Sequence, residues 1–274
     1  MMSSTILSQV KQFCRFEHIN GVSFGEVIDE KIHQLDNAPW LEYEFTGLVF
    51  DAADIKLLHP SEPQVIIGLG GAYKNVWVDK TPPKTVRWFI KPPTCAASPN
   101  DNVVIPPSLD EVKVESELTI VIGKRVKNVD ETEAENAIFG YTIGNDIVGN
   151  KPSYLKVNDE TEESAGPLLA PGLKICDKFA PFGPYVFTGV DWKDRAWSLT
   201  ITNDETGKKI VHEDNTSNLV YSPAKIVSDL SKVLTLNPGD IILTGTSKSY
   251  VASDGDKVVV EIEGLGKLEN MIVK

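Results

Sequence analysis

Positive charge, histidine, cysteine and long apolar runs are all scarce in this 274-residue chain. Its 27 Lys+Arg stand against 39 Asp+Glu, a net charge of −12. That balance disfavours nucleic acid or an anionic membrane as the main partner. A small anionic substrate is compatible with it, provided that a bound metal or a converging lysine supplies positive charge locally. No apolar run approaches the ~20 residues that would span a bilayer. The N-terminus, MMSSTILSQVKQF, has no basic region followed by a small-residue cleavage site, so no signal peptide is expected. Cys14, Cys95 and Cys176 are widely spaced and lie in no metal or redox motif. They read as small buried hydrophobes in a reduced, cytoplasmic setting. Of the four histidines, His18, His33 and His59 lie in the first sixty residues and His212 in a polar hairpin. Each reads as a surface or packing residue. Internal repeats, low-complexity tracts and alternating strand–helix units are also missing, which argues against a doubly wound fold.

What is there is β-type sequence cut by turns. FEHINGVSFGEVIDEKIHQL carries turn signals at Asn20-Gly21 and Asp29-Glu30. Pro60 and Pro63 punctuate a connector, so residues 1–60 are read as a small N-terminal β subdomain and 61–274 as the main domain. The stretch from Tyr73 to Pro93, rich in lysine, tryptophan and proline, suits a long loop or lid. KVESELTIVIG (Lys113–Gly123) reads as one strand, and Thr132 with Glu135 as a capping box for a helix over Glu133–Phe139. GYTIGNDIVGN is strand-like up to Asp146 and then loosens, with a mobile excursion expected over residues 149–172. PYVFTGV, SLTITN and KKIVH read as further strands. Ser222-Pro223 opens an amphipathic helix with Ile226, Val227, Leu230, Val233 and Leu234 on one side. Strand, turn and strand close the chain. The fold class is α+β, mostly β, with mixed sheets and a few short helices.

Glu115 and Glu117 are two apart in the expected strand, so both carboxylates face one way. Like charges that close repel unless a cation neutralises them. A solvated strand edge explains the pair as simply, and Asp146 alone reads as a turn former. If the three converge, oxygen ligands without histidine or cysteine suit a hard ion: Mg²⁺ first, with Mn²⁺ or Ca²⁺ as alternatives.

VESELTIVIGK, followed about thirty residues on by FGYTIGNDIVGN, resembles the central signature of the fumarylacetoacetate hydrolase superfamily. FIKPPT (Phe89–Thr94), LKICDKFAPFGPYV (Leu173–Val186), NTSNLVYSPAKIVSDLSKVLTLNPGDIILTGT (Asn215–Thr246) and GDKVVVEIEGLGKLEN follow in that family's order, over roughly residues 55–274. The resemblance implies that family's mixed β-sheet roll, a homodimer, and Glu115, Glu117 and Asp146 as metal ligands. It implies Lys174 as the active-site lysine facing a bound oxo-acid or enolate, with Thr246 and Tyr73 as substrate-binding residues. The activity implied is metal-dependent cleavage of a C–C bond in a 2-oxo or β-diketo acid of the acylpyruvate or fumarylpyruvate type. Decarboxylation, dehydration and keto–enol isomerisation use the same enolate.

Two departures bear on that activity. Hydrolytic members have an Asn-Tyr-x-x-His-x-x-Glu run, whose His–Glu pair activates water. Here Val76 stands at the histidine and Asp79 at the glutamate. Valine cannot take a proton, so Asp79 or Lys74 is left as the candidate base. After Asp146, Gly149-Asn150-Lys151-Pro152-Ser153 replaces the family's Ala-Arg-Asp and following glutamine. A drier, apolar lid favours lyase or isomerase chemistry over hydrolysis. A metal-binding homologue without turnover is the reading from a different class.

Overall fold

Turn residues at short intervals leave little room for helices, and strands are the dominant regular structure among the described residues. The computed structural model describes residues 10–107, 109–152 and 173–274. The first strands are β1 (Lys11–His18), β2 (Gly21–Ile28), β3 (Lys31–Leu35), β4 (Phe45–Phe50) and β5 (Lys56–Leu58). β6 (Ile66–Gly70), β7 (Arg87–Lys91), β8 (Ala96–Ala97), β9 (Asn102–Val104), β10 (Leu109–Val114) and β11 (Ser116–Ile122) follow. The short helix α1 (Glu131–Glu135) precedes β12 (Ile138–Asn145) and β13 (Val148–Pro152). Next come β14 (Ala180–Thr188), β15 (Ala196–Asn203), β16 (Lys208–Asn215) and the helix α2 (Pro223–Val233). β17 (Ile241–Leu243), β18 (Tyr250–Ala252), β19 (Lys257–Ile262) and β20 (Gly266–Val273) end the chain.

Among the described residues these strands form three sheets. The large one has twelve strands, running β4-β3-β2-β1-β14-β12-β11-β17-β6-β7, with β5 on β1 and β8 on β14. A three-stranded sheet runs β13-β10-β18, and a five-stranded sheet runs β16-β15-β19-β20-β9. Most pairs are antiparallel; β6–β17, β8–β14 and β9–β20 are parallel. The expected mostly β, mixed-sheet class is the observed one. The N-terminal strands extend the large sheet through β1, whose Lys11–Cys14 pair with Tyr185–Thr188 of β14.

Period-two alternation divides β11 between two apolar layers. Leu118, Ile120 and Ile122 enter the main core with Leu199, Ile201, Val258 and Val260 of the five-stranded sheet. Val121 turns to a second cluster with Ile66, Phe182, Ile241 and Leu243. All seven residues of β11 are buried, and each fully buried aliphatic side chain contributes about 1.5–3 kcal/mol. That rigid strand is what the site is built on.

α2 starts as its sequence demands. Ser222 Oγ accepts from Lys225 N at 3.1 Å, and Pro223 fills the first helical position, where no N–H is needed. Ile226, Val227 and Leu230 are fully buried, but Val233, in the last turn, is 60% exposed and lies off the apolar stripe.

Four local expectations are corrected. The capping box belongs to Asp130 and Glu133, so α1 ends at Glu135 instead of running to Phe139. An aspartate holds the cap better there because its carboxylate accepts the Glu133 N–H at 2.8 Å. The lid segment regains regular structure at β7, which pairs with β6 along its whole length. Lys113–Gly123 is two strands, broken at Glu115 and assigned to different sheets. After Asp146 the chain resumes pairing at Val148, against β10. The rest of the expected excursion, with Asp159–Glu163, lies outside the described residues. Among the described residues no helix is long and apolar enough to cross a membrane.

Candidate metal centre

β10–β13 and β11–β12 are one long antiparallel ribbon with a crease in it. Ser116 faces Asn145 on one side of the crease and Lys113 faces Val148 on the other. The register is the same on both sides, so Glu115 and Asp146 stand opposite each other at the fold line. Asp146 N donates to Glu115 O at 3.1 Å, and Glu115 N donates to Asn145 Oδ1 at 3.0 Å. The crease lets Glu115 turn inward beside Glu117 without a continuous strand, and carboxylate oxygens of Glu115, Glu117 and Asp146 lie within 4.8 Å of one another.

Two lysines answer this charge. Lys174 Nζ donates to Glu115 Oε2 at 3.0 Å and to Asp146 Oδ2 at 2.6 Å, and lies 5.1 Å from the Phe89 ring centroid. Lys91 Nζ is fully buried, donating to Asp146 Oδ1 and, at 2.9 Å, to Ile147 O. Among the described residues, three carboxyl groups face two ammonium groups, and Glu117 is the one without an ammonium partner: Gly245 N donates to its Oε2 at 2.6 Å, while the buried Oε1 has no hydrogen-bond partner among those residues. A buried, unpartnered carboxylate oxygen is costly. This all-oxygen set fits a hard divalent cation, which Glu115, Glu117 and Asp146 could hold.

The titration behaviour follows from the same contacts. Burial raises the pKa of Glu115 despite the Lys174 charge. Burial, then Asp146 and Glu115, push Glu117 well above the carboxylate range. Burial opposes ionisation of Asp146 too, but Lys91 and Lys174 outweigh it and hold its pKa below the ordinary value. Burial disfavours the charged form of Lys174, yet Asp146 and Glu115 overcome it and keep the ammonium protonated beyond its usual range. Metal binding must therefore displace protons from the two glutamates as pH falls. Mn²⁺ affinity is expected to decline with decreasing pH from above the ordinary carboxylate value of about 4.3, by up to about tenfold per pH unit for each proton released. Calorimetric titrations between about pH 5 and 8 check this; affinity flat across that range would contradict it.

The other expected site residues fare differently. Tyr73 is fully buried, its hydroxyl accepting the Trp197 Nε1–H at 3.0 Å. Its side chain is closed off from solvent. Burial is the main reason its phenol pKa is raised, with Glu117 and Asp214 adding to it. Thr246 is half-buried, one residue past the Gly245 amide, and its hydroxyl reaches only Lys248 O at 3.4 Å. Gly245 has φ +91°, and a Cβ there would lie 2.8 Å from Ala72 Cβ, so no other residue fits. Asp79 is exposed, with φ +60°, and among the described residues it has no bond to the cluster. Val76 is 47% exposed, on the single helical turn Lys74–Trp77. That turn is pinned by Trp77 Nε1, which donates to Gly71 O at 2.7 Å, and by Arg87, 4.9 Å from the Trp77 ring centroid. Sequence reasoning missed Lys91 and the Gly245 amide. Lys91 lay inside the quoted FIKPPT motif, directly after the β-type run Trp88-Phe89-Ile90, which was its available signal.

Comparison with known proteins agrees with this architecture. The family model described as fumarylacetoacetate (FAA) hydrolase, C-terminal, matches residues 66–273. A second, described as Rv2993c-like, N-terminal, matches residues 12–60. Protein Rv2993c of Mycobacterium tuberculosis is 32% identical over 262 residues, 94% of each chain. The homoprotocatechuate catabolism bifunctional isomerase/decarboxylase of Escherichia coli is 33% identical over 220 residues, covering 79% of this chain and 48% of that protein. The solved structure of 5-carboxymethyl-2-hydroxymuconate delta-isomerase from Mycobacterium smegmatis is similar at TM-score 0.81 and 30% identity, covering 96% of this chain and 99% of that one. The chain belongs to the fumarylacetoacetate hydrolase family of enzymes.

Proposed function

We propose that this enzyme acts on a 2-oxo or β-diketo acid through an enolate, using a divalent ion, with Mg²⁺ or Mn²⁺ as the first candidates. The observation that carries the reading is the convergence of three carboxylates within 4.8 Å beside the Lys174 ammonium. When bound, the ion supplies Lewis-acid stabilisation of negative charge developing on the oxo oxygen. Lys174 stays protonated and so serves as a fixed positive charge for that anion, not as a base. Lys91 holds Asp146 ionised and in place from the buried side.

Isomerisation or decarboxylation is favoured over C–C hydrolysis. Val76 cannot activate water, and Asp79, the other half of the family's pair, is exposed and unconnected to the cluster. The names of the E. coli and M. smegmatis relatives point to the same two reactions.

The test is a panel of acylpyruvates, oxaloacetate and unsaturated 2-oxo dicarboxylates, assayed with Mg²⁺ or Mn²⁺. Turnover of at least one is expected, and Lys174→Met is expected to lower kcat by about 10²–10³-fold. Mn²⁺ affinity in that variant should hold or tighten, because a neighbouring cation is removed. An ion-loaded protein inert to the whole panel overturns the proposal; full activity in Lys174→Met removes that residue's role.

A further inference from the structure

The Gly245–Ser247 turn after β17 is held from several sides. Thr244 N and Thr244 Oγ1 both donate to Leu118 O, at 3.1 and 2.8 Å. Gly245 N donates to Glu117, and Ser247 O accepts from Asn75 Nδ2 at 3.0 Å. Ser247 is itself buried, and its hydroxyl lies 3.0 Å from His212 Nε2 on β16.

A His212 Nε2–H would donate to Ser247 Oγ, which has lone pairs free to accept it. Asp214, two residues on along β16, is held by Asn218 Nδ2 at 2.6 Å and the Asn215 amide at 2.7 Å. The imidazole is fixed by rings on both sides: Trp197, edge-on at 5.3 Å between centroids, and Tyr250 at 5.2 Å. Trp197 in turn donates to Tyr73, which starts the Lys74–Trp77 turn. β16, the Gly245–Ser247 turn and the Val76-bearing turn are thus joined through one hydroxyl-bearing residue.

We propose that His212 is a positioning residue that acts through Ser247, locking the Gly245–Ser247 turn so that Thr246 keeps its place at the carboxylate end of an oxo-acid. The ligand class rests on the function proposed above; the latch itself rests on the contacts.

The experiment uses the full chain loaded with Mn²⁺ and oxalate as the probe. His212→Ala is expected to bind oxalate about tenfold more weakly, the loss of one hydrogen bond, with Mn²⁺ affinity unchanged within about twofold. His212→Gln presents an amide N–H to the same hydroxyl and should restore oxalate binding. Ser247→Ala should match His212→Ala, and the double variant should add nothing further. Oxalate binding by His212→Ala equal to wild type, or no rescue by glutamine, overturns the latch. If the wild type binds Mn²⁺ but no oxalate, the oxo-acid reading falls by itself. Amide hydrogen exchange at Gly245 and Thr246 then decides the latch: about tenfold faster exchange in His212→Ala supports it, and unchanged exchange overturns it.

Discussion

Replacing Glu117 with glutamine is expected to weaken Mn²⁺ binding by more than about 100-fold, beyond the 10–100-fold typical of groups that only support a ligand. The shape of the site survives, because the amide oxygen can still accept from Gly245 N, as Glu117 Oε2 does at 2.6 Å. What changes is the atom in the place of Oε1, the buried oxygen with no hydrogen-bond partner among the described residues. An NH₂ group there points two donors at a cation. The same substitution is expected to stabilise the metal-free protein, since a neutral amide is easier to bury than a carboxylate. Each kcal/mol relieved raises Tm by about 2–4 °C. Opposite changes in ion affinity and metal-free Tm are the signature to look for. A variant that binds Mn²⁺ normally would show that Glu117 is not a ligand.

Lys91→Met should have the largest effect on stability. The methionine keeps most of the stem volume but leaves fully buried Asp146 with Lys174 as its one remaining cation among the described residues. Breaking a buried ion pair from one side costs about 3–5 kcal/mol, equivalent to a Tm lower by roughly 6–20 °C. A divalent ion can take over part of the neutralisation. Mn²⁺ at about 100 times its Kd should return about 2.7 kcal/mol, so the deficit is expected to shrink with ion concentration. A metal-free Tm within a degree or so of wild type would mean that Asp146 does not depend on Lys91.

The contrast between these two residues shows what was legible in the chain. Glu117 stood out only through the family resemblance, because an acidic pair beside an apolar run fits a solvated strand edge equally well. The convergence with Glu115 was expected for a different reason from the one found. Strict alternation in a single strand was the argument, whereas the strand breaks at Glu115 and the carboxylates meet across a crease. Nothing local signals that break, because it depends on which strand pairs with which sheet. Lys91 was harder still. Its partner lies 55 residues away, and a lysine among prolines and other lysines is by default solvated. The α2 helix, set by Ser222, Pro223 and its apolar stripe, was fully local and therefore visible. The α1 cap was misplaced by two residues because Asp130 and Thr132 both offer a capping oxygen with a glutamate three residues on. His212 read as a surface or packing residue, and its bond to Ser247 was hidden because its partners come from β15, β18 and the Gly245–Ser247 turn.

The crease also has the geometry of a pivot. The three-stranded sheet leaves the large one there, and its strand β10 extends about 20 Å from the fold line. A rotation of about 5° at the crease carries the far end of that strand by roughly 1.7 Å while barely displacing Glu115 or Asp146. Gly149 on β13 approaches so near that a Cβ there would lie 3.2 Å from Leu173 Cδ2, next to Lys174. The small sheet is thus a lever with its fulcrum at the carboxylates and its load beside the lysine. Force applied at its tip would change the lysine-to-carboxylate spacing before it changed the carboxylates themselves.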